Sequence, residues 1–299
     1  MKIVVAGGTG FIGRPLVSGL VARGDDVVVL TRNPGNVQGA RGVAWRPPSV
    51  DAWADEVSAA DAVINLAGES IADGRWTAAR KQRLVSSRLD ATSALVEALR
   101  LATDRERCLV SASAIGFYGL SGDERLDEGA PQGRGFLAGL SAKWEAAARE
   151  AEPRARVVLL RFGIVLDRSG GALAKMLLPF SLGLGGPVGD GKQWMSWVGL
   201  EDVIRGIAWA LDTQAARGVY NLTAPEPVRS RDFARALGRA LHRPAILPVP
   251  AFALRAMFGE MADEILIGGQ RVIPARLEKE AFRFERIALD DELRALFAR

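Results

Sequence analysis

A short apolar run, Lys2 to Ala6, breaks into Gly7, Gly8, Gly10 and Gly13, and an apolar helical pattern follows through Leu16, Val17 and Leu20. A strand that enters a glycine turn and leaves as a helix is the setting a dinucleotide fingerprint requires. Gly8-Thr9-Gly10-Phe11-Ile12-Gly13 fits G-x-G-x-x-G, and Gly7, Gly10 and Gly13 also fit G-x-x-G-x-x-G. One glycine makes the tight turn, one lets backbone approach a pyrophosphate, and one lets the helix pack against the strand. The helix N-terminus then presents free N–H groups and a positive dipole end to phosphates. A glycine turn without a ligand is the plainer alternative, but the clean preceding strand favours nucleotide binding.

The segments that follow repeat the unit. Asp26–Thr31 (DVVVLT) reads as a second strand, with Arg32 just past its end, where such a fold meets the adenine ribose. An acidic residue there suits the 2′-hydroxyl of NAD, whereas an arginine suits the 2′-phosphate of NADP. Asp25 and Asp26 stand at the wrong end of the strand, so Arg32 points to NADP; the alternative is a solvated loop arginine. A further strand, 61–66, ends in Ala67-Gly68, small residues against which a cofactor backbone can lie. A helix is expected over about 77–101, with Leu84, Thr92, Leu95 and Leu99 on its apolar stripe. Arg88 falls on that stripe and needs an anionic or polar partner, either a ligand or a structural carboxylate or carbonyl. Arg83 lies at the stripe's edge. Strand 107–113 ends at Ser113, with Ser111 two residues earlier; hydroxyls there would face the reacting end of a nicotinamide, Ser113 before Ser111, or else only cap the strand end. A helix is expected over about 140–151 with Lys143 bordering its apolar face, then a buried strand, Val157–Phe162. This alternation predicts a doubly wound parallel α/β sheet. The stretch 170–191, rich in Gly, Leu and Pro, reads as core or an apolar wall or lid. Helices over 201–211 and 230–241, a strand at 218–222 and a short one at 246–249 complete the pattern. Residues 1–166, completed by about 200–223, are read as the nucleotide-binding domain, and 167–199 with 224–299 as a smaller mixed α/β substrate-side domain.

Composition excludes other classes. Cys108 is the only cysteine and His242 the only histidine, so intrachain disulfides, the usual zinc sites and histidine triads are ruled out. No metal site is expected. His242, just after a helix, reads as a surface or capping residue. The net charge of +4 is spread along the chain, so no nucleic-acid partner is inferred. The N-terminal run does not read as a signal peptide, and no apolar run is long enough to span a membrane. The expectation is a soluble cytoplasmic protein whose partner is a small-molecule substrate, with nothing in the pattern fixing an oligomeric state.

These stretches resemble the extended short-chain dehydrogenase/reductase group, which includes nucleotide-sugar epimerases, and within it an epimerase-like subfamily. The resemblance rests on GGTGFIG at 7–13, INLAGESI at 64–71, RW at 75–76, SR at 87–88, SASAIGFYG at 111–119, KWEAAA at 143–148, LLPFSLGLGGPVGDG at 177–191 and GVYNLTAP at 218–225. The segment from about 248 to 297, centred on GQRVIPARLEKEAFRF, resembles that subfamily's tail domain. The resemblance implies a Rossmann fold and NADP(H) held by Gly7, Gly10, Phe11, Ile12 and Gly13, by Thr31 and Arg32, by Leu66 and Ala67, by Arg83 and Arg88, and by Ile164. It also implies a hydroxyl, a tyrosine and a lysine four residues after it. Ser113 matches the hydroxyl and Lys143 the lysine, but the tyrosine position is Gly139. Gly199 stands where a histidine is expected. Tyr118 and Tyr220 are the only tyrosines, and Tyr118 could approach from the loop after the serine strand. Two functions follow: an NADP(H)-dependent oxidoreductase or epimerase using Ser113, Lys143 and Tyr118 or a water, or an NADP(H)-loaded sensor or scaffold without turnover, linked in the subfamily's labelling to cell division.

Overall fold

A computed structural model describes residues 1–102 and 106–298. Seven strands form one all-parallel sheet: β1 (Lys2–Ala6), β2 (Asp26–Thr31), β3 (Arg41–Ala44), β4 (Ala62–Asn65), β5 (Arg107–Ala114), β6 (Ala155–Phe162) and β7 (Gly218–Leu222). Their spatial order is β3-β2-β1-β4-β5-β6-β7. Every neighbouring pair is parallel, and Val5 registers with Val29 on one side and Ile64 on the other. Strand order reverses direction between β1 and β4, and ligands of open α/β sheets bind in the crevice at such a point.

Alternate side chains on each strand enter opposite cores. Ile3 and Val5 join α1 (Gly13–Ala22) through Leu16, Val17 and Leu20. Val4 and Ala6 face the other way, onto α2 (Ala54–Ala59) and α3 (Ala78–Leu101) through Val57, Leu95 and Leu99. Continuous apolar strands such as β6 are what a sheet covered on both faces demands. α4 (Phe136–Arg149) packs beside α3, with Ala148 in that second core.

After β6 the chain leaves the sheet. Ile164–Asp167 pairs with Trp197–Gly199, and Trp194–Met195 pairs with Val228–Arg229. Around these sit α5 (Gly171–Ser181), α6 (Leu200–Asp212), α7 (Ser230–Leu241), α8 (Ala251–Phe258), α9 (Ala275–Lys279) and α10 (Leu289–Phe297). α6 returns to the main sheet through Val203 and Ile207. α5, α7 and α10 share a third core built on Leu173, Phe180, Trp197, Phe233, Leu237 and Leu293. Among the described residues no helix is long and apolar enough to cross a membrane.

Three expectations change. The stretch 170–191 contains the helix α5, with Leu178 exposed in its last turn and Leu182 and Leu184 exposed just beyond it. α4 begins at Phe136, four residues before the periodicity suggests, because a distant carboxylate caps it. Residues 246–249 form no strand; one bridge, Val188 to Val249, stands there. His242 closes α7 in the left-handed conformation with φ 54°, a capping role.

Candidate functional site

The chain leaves β1 at Gly7, whose φ is +83°. A Cβ there would lie 2.7 Å from the carbonyl carbon and oxygen of Leu66, so the turn is pressed against the exit of β4. The Gly10 N–H donates to the Gly7 carbonyl at 3.0 Å. A Cβ on Gly13 would lie 2.2 Å from that same oxygen. Glycine is therefore required twice, once for the turn and once for the closeness of α1 to it. No side chain caps α1, and the amides of Phe11, Ile12 and Gly13 have no acceptor among the described residues. Unpaired amides at a helix N-terminus form an anion site. The Phe11 ring is roofed by backbone: a Cβ on Gly170 would lie 2.5 Å from it.

At the end of β2, Thr31 Oγ1 accepts from the Asn33 N–H at 3.2 Å. Arg32 is exposed and makes no hydrogen bond or ion pair with a described residue. Leu66 donates its N–H to Ala6, and Ala67 donates to the Asn65 side chain at 3.2 Å. The Ile164 N–H donates to Ser196 at 2.8 Å. Arg88 reaches inward from α3, where burial lowers its pKa to about 10. It donates to the carbonyls of Leu84 and Glu69, each at 3.0 Å, and lies over Trp144. Both carbonyl partners belong to the structural alternative, and they also fix the 68–69 loop, since a Cβ on Gly68 would lie 3.1 Å from the guanidinium carbon. Arg83 is exposed, 3.8 Å from Glu69.

At the end of β5, Ser113 Oγ–H donates to Glu145 Oε1 at 2.6 Å. Glu145 is gripped by Arg161, Nε to Oε1 at 2.6 Å and Nη2 to Oε2 at 2.8 Å. Arg161 Nη1 donates to the Tyr118 hydroxyl at 2.8 Å, and that hydroxyl donates to Asn221 Oδ1 at 2.7 Å. Ser113 and Tyr118 thus belong to one buried chain of hydrogen bonds. The Tyr118 hydroxyl is engaged on both sides, and burial pushes its pKa up to about 12. Ser111 lies fully buried beside Asn65. Lys143 is exposed, and its side chain makes no hydrogen bond or ion pair with a described residue. Gly139, one helical turn before it, would present a Cβ to open space. A side chain at 139 would therefore meet no described atom at its Cβ. At Gly199 the reverse holds, since a Cβ would lie 2.7 Å from Glu292 Oε1.

Glu145 and Arg161 were not singled out from sequence. The signal for Arg161 was an arginine within VVLLRF; that for Glu145 was its place two residues after Lys143.

A family model described as "NAD dependent epimerase/dehydratase family" matches residues 3–223. A second, described as a domain of unknown function (DUF1731), matches residues 249–296. An epimerase family protein of Mycobacterium bovis is 41% identical over 293 residues, 97% of this chain and 96% of its own. The epimerase family protein SDR39U1 of Homo sapiens is 37% identical over 306 residues, covering all of both chains. A crystal structure of the human protein, isoform 2, with NADPH superposes at a TM-score of 0.89 with 35% identity, over 99% of each chain. A Thermus thermophilus UDP-glucose 4-epimerase complex with NAD shares the fold, with a TM-score of 0.76 at 22% identity. The chain belongs to the NAD dependent epimerase/dehydratase family and carries that family's Rossmann-type sheet.

Proposed function

We propose that this chain binds NADP(H) and is an oxidoreductase or epimerase acting on a small carbonyl or hydroxyl substrate, without the usual tyrosine. The observation that carries the cofactor reading is the pairing of unsatisfied amides at Phe11, Ile12 and Gly13 with an unpaired Arg32 at the end of β2. The amides fit a pyrophosphate and the arginine fits a 2′-phosphate. The human relative crystallised with NADPH supports the same choice. A bound NADP(H) would supply hydride exchange at its nicotinamide ring. Thr31, Leu66, Ala67, Arg83, Arg88 and Ile164 border the path such a molecule would follow, with Lys143 free to hold the ribose.

Ser113 is the hydroxyl for a substrate oxygen. Its own proton is directed to Glu145, so it accepts from a substrate hydroxyl in this arrangement. Proton movement would run through Glu145, Tyr118 or a water, while Arg161, which only donates, holds Glu145 and Tyr118 in place. General acid–base help of this kind contributes about two to four powers of ten. We also read residues 1–166 with 200–223 as the nucleotide-binding unit and the remainder as the substrate side.

Purified protein titrated with NADPH and NADH, beside Arg32→Ala, tests the cofactor. NADPH should bind more tightly, and the variant should lose roughly ten- to a hundredfold, the worth of one charge-assisted bond. Equal binding of both nucleotides by both proteins overturns the reading. The second reading, a loaded sensor or scaffold, is favoured by Gly139, which carries no proton donor. Steady NADPH consumption with any carbonyl compound, abolished by Ser113→Ala, would exclude it.

A further inference from the structure

Two walls flank the path proposed for the nucleotide, and each is fastened to a different part of the core. One is the chain that leaves β4, residues 66–76. It starts against the glycine turn, where a Cβ on Gly7 would lie 2.7 Å from the Leu66 carbonyl. Farther out it is tied to α3. The Glu69 N–H donates to Ser87 Oγ at 3.1 Å, Arg88 Nη2 donates to the Glu69 carbonyl at 3.0 Å, and Arg80 Nη2 donates to the Ser70 carbonyl at 2.6 Å. Trp76 Nε1 donates to the Ile71 carbonyl at 2.8 Å, and both residues pack with Leu84 of α3 and Leu140 of α4.

The other wall is the chain that leaves β6 and runs into α5. Gly170 and Gly171 lie on the Phe11 ring, which Cβ atoms at these positions would approach to 2.5 and 3.0 Å. From there α5 turns to the third core, through Leu173 and Phe180. No apolar cluster of described residues holds both α5 and residues 67–76. Lys175 makes the crossing instead. Its Nζ donates to the Ala72 carbonyl at 2.7 Å and to Asp73 Oδ1 at 2.6 Å. Among the described residues these are the only polar bonds between α5 and the 66–76 loop. The contacts close a ring. It runs from the glycine turn at Phe11 to Gly170, along α5 to Lys175, across to Asp73, and back through Leu66 to Gly7. The turn whose amides suit a pyrophosphate is one side of that ring.

We propose that the Lys175–Asp73 bridge is a strap across the nucleotide cleft, and that NADP(H) enters and leaves only when the bridge opens. This rests on the cofactor reading given above. The two side chains are 52% and 58% exposed, so the bridge can break without disturbing either core. Exposed pairs are also individually weak, which suits a latch that must open. Each wall is held on its own side, so opening breaks only the Lys175 bonds and leaves the rest of the fold in place. The bridge forms within the protein alone, and it is the same bond whether the cleft is empty or filled. A bond that favours neither state leaves affinity unchanged. It slows entry and exit by one common factor, and the protein retains its nucleotide longer for a given Kd.

Rapid mixing of the purified protein with NADPH, followed by nicotinamide fluorescence, gives the association rate. A chase of the loaded protein with excess NADP⁺ gives the dissociation rate. The variant is Asp73→Ala/Lys175→Ala, which removes the bridge and keeps the net charge that the nucleotide meets. Both rates should rise roughly two- to fivefold, the worth of one exposed pair, with Kd unchanged. The ratio of variant to parent rates should shrink toward one at about 1 M salt, where screening weakens the bridge in the parent protein. Variant rates equal to those of the parent overturn the proposal. So does a weaker Kd with an unchanged association rate, because Lys175 or Asp73 would then contact the nucleotide itself. If the double variant does not fold, Lys175→Met replaces it, and a parental dissociation rate is again a refutation. A parent protein that binds neither NADPH nor NADH overturns the cofactor reading and the strap together, whereas nucleotide binding with unaltered rates in the variant overturns the strap alone.

Discussion

Arg161→Met tests the buried chain behind Ser113. The Arg161 and Glu145 side chains are 4% and 5% exposed, so the pair is removed from water. Two parallel bonds join them, and Arg161 also lies 3.5 Å from the Phe117 ring centroid and donates to Tyr118. Methionine keeps the apolar reach and removes the charge, leaving the Glu145 carboxylate with Ser113 as its remaining side-chain donor. Breaking one partner of a buried pair costs about 3–5 kcal/mol. With unfolding entropy of about 2.1 cal/mol/K per residue, a chain of 299 residues should lose about 5–8 °C in Tm. The double variant Glu145→Leu/Arg161→Met removes both charges and should recover most of that loss, because a buried pair replaced by apolar side chains is often near neutral. The assay is thermal unfolding by circular dichroism without nucleotide. A single-variant loss below about 2 °C, or a double variant as unstable as the sum of the singles, would refute the reasoning.

Two further outcomes follow from particular environments. Gly139→Ala should raise stability by about 0.5–1 kcal/mol, because the new methyl meets open space and alanine is the better helix former; a drop in Tm would show the position is occupied. Burial raises the pKa of Glu292 from 4.5 to about 7. The folded state therefore keeps a proton that the unfolded state has released across that window. Its contribution is full below about pH 4.5 and is lost as pH rises through about 7. The Tm of the parent protein relative to Glu292→Gln should accordingly fall from pH 5 to pH 8, and a flat difference would sink the assignment.

What was legible in the sequence was whatever local pattern controls. β2 spans Asp26–Thr31 and α7 spans Ser230–Leu241, as their apolar periodicity indicates, and the glycine loop stands where its spacing puts it. Illegible were features fixed by partners far along the chain. α5 was hidden by Gly170 and Gly171, which look like loop but serve to lay backbone on Phe11, and by Pro179 near the helix end. The Glu145–Arg161 pair is 16 residues apart on different elements, and only the register of β5 with β6, which sets Ser113 opposite Arg161, brings the two charges to the serine. Arg32 and Lys143 are exposed, so no distant partner fixes the place of either. Gly139 is the instructive case: the missing side chain was plain in the sequence, but the space left beside it was not.

The start of α4 joins the tail of the chain to the helix of the candidate site. Its N-cap residue, Gly135, has φ +110° and no side chain to cap with, and the first turn has no acidic residue. Glu264, 128 residues from Phe136, supplies the cap: Phe136 and Leu137 donate their N–H groups to its two oxygens at 2.7 and 2.8 Å. A Cβ at Gly135 would stand 2.8 Å from the same carboxylate, so the glycine makes room for it. Glu264→Ala should therefore cost about 0.5–2 kcal/mol, the usual worth of an N-cap. The loss should fray the turn containing Gly139 and stop there. Trp144 and Ala148, both beyond Lys143 along the helix and each buried in one of the two cores, hold the rest of the helix. Stability and NADPH affinity should then separate, with Tm lower by about 1–3 °C and the Kd for NADPH unchanged. An unchanged Tm with weakened NADPH binding would contradict this, because it would place Glu264 in contact with the nucleotide and leave the helix start supported by something else.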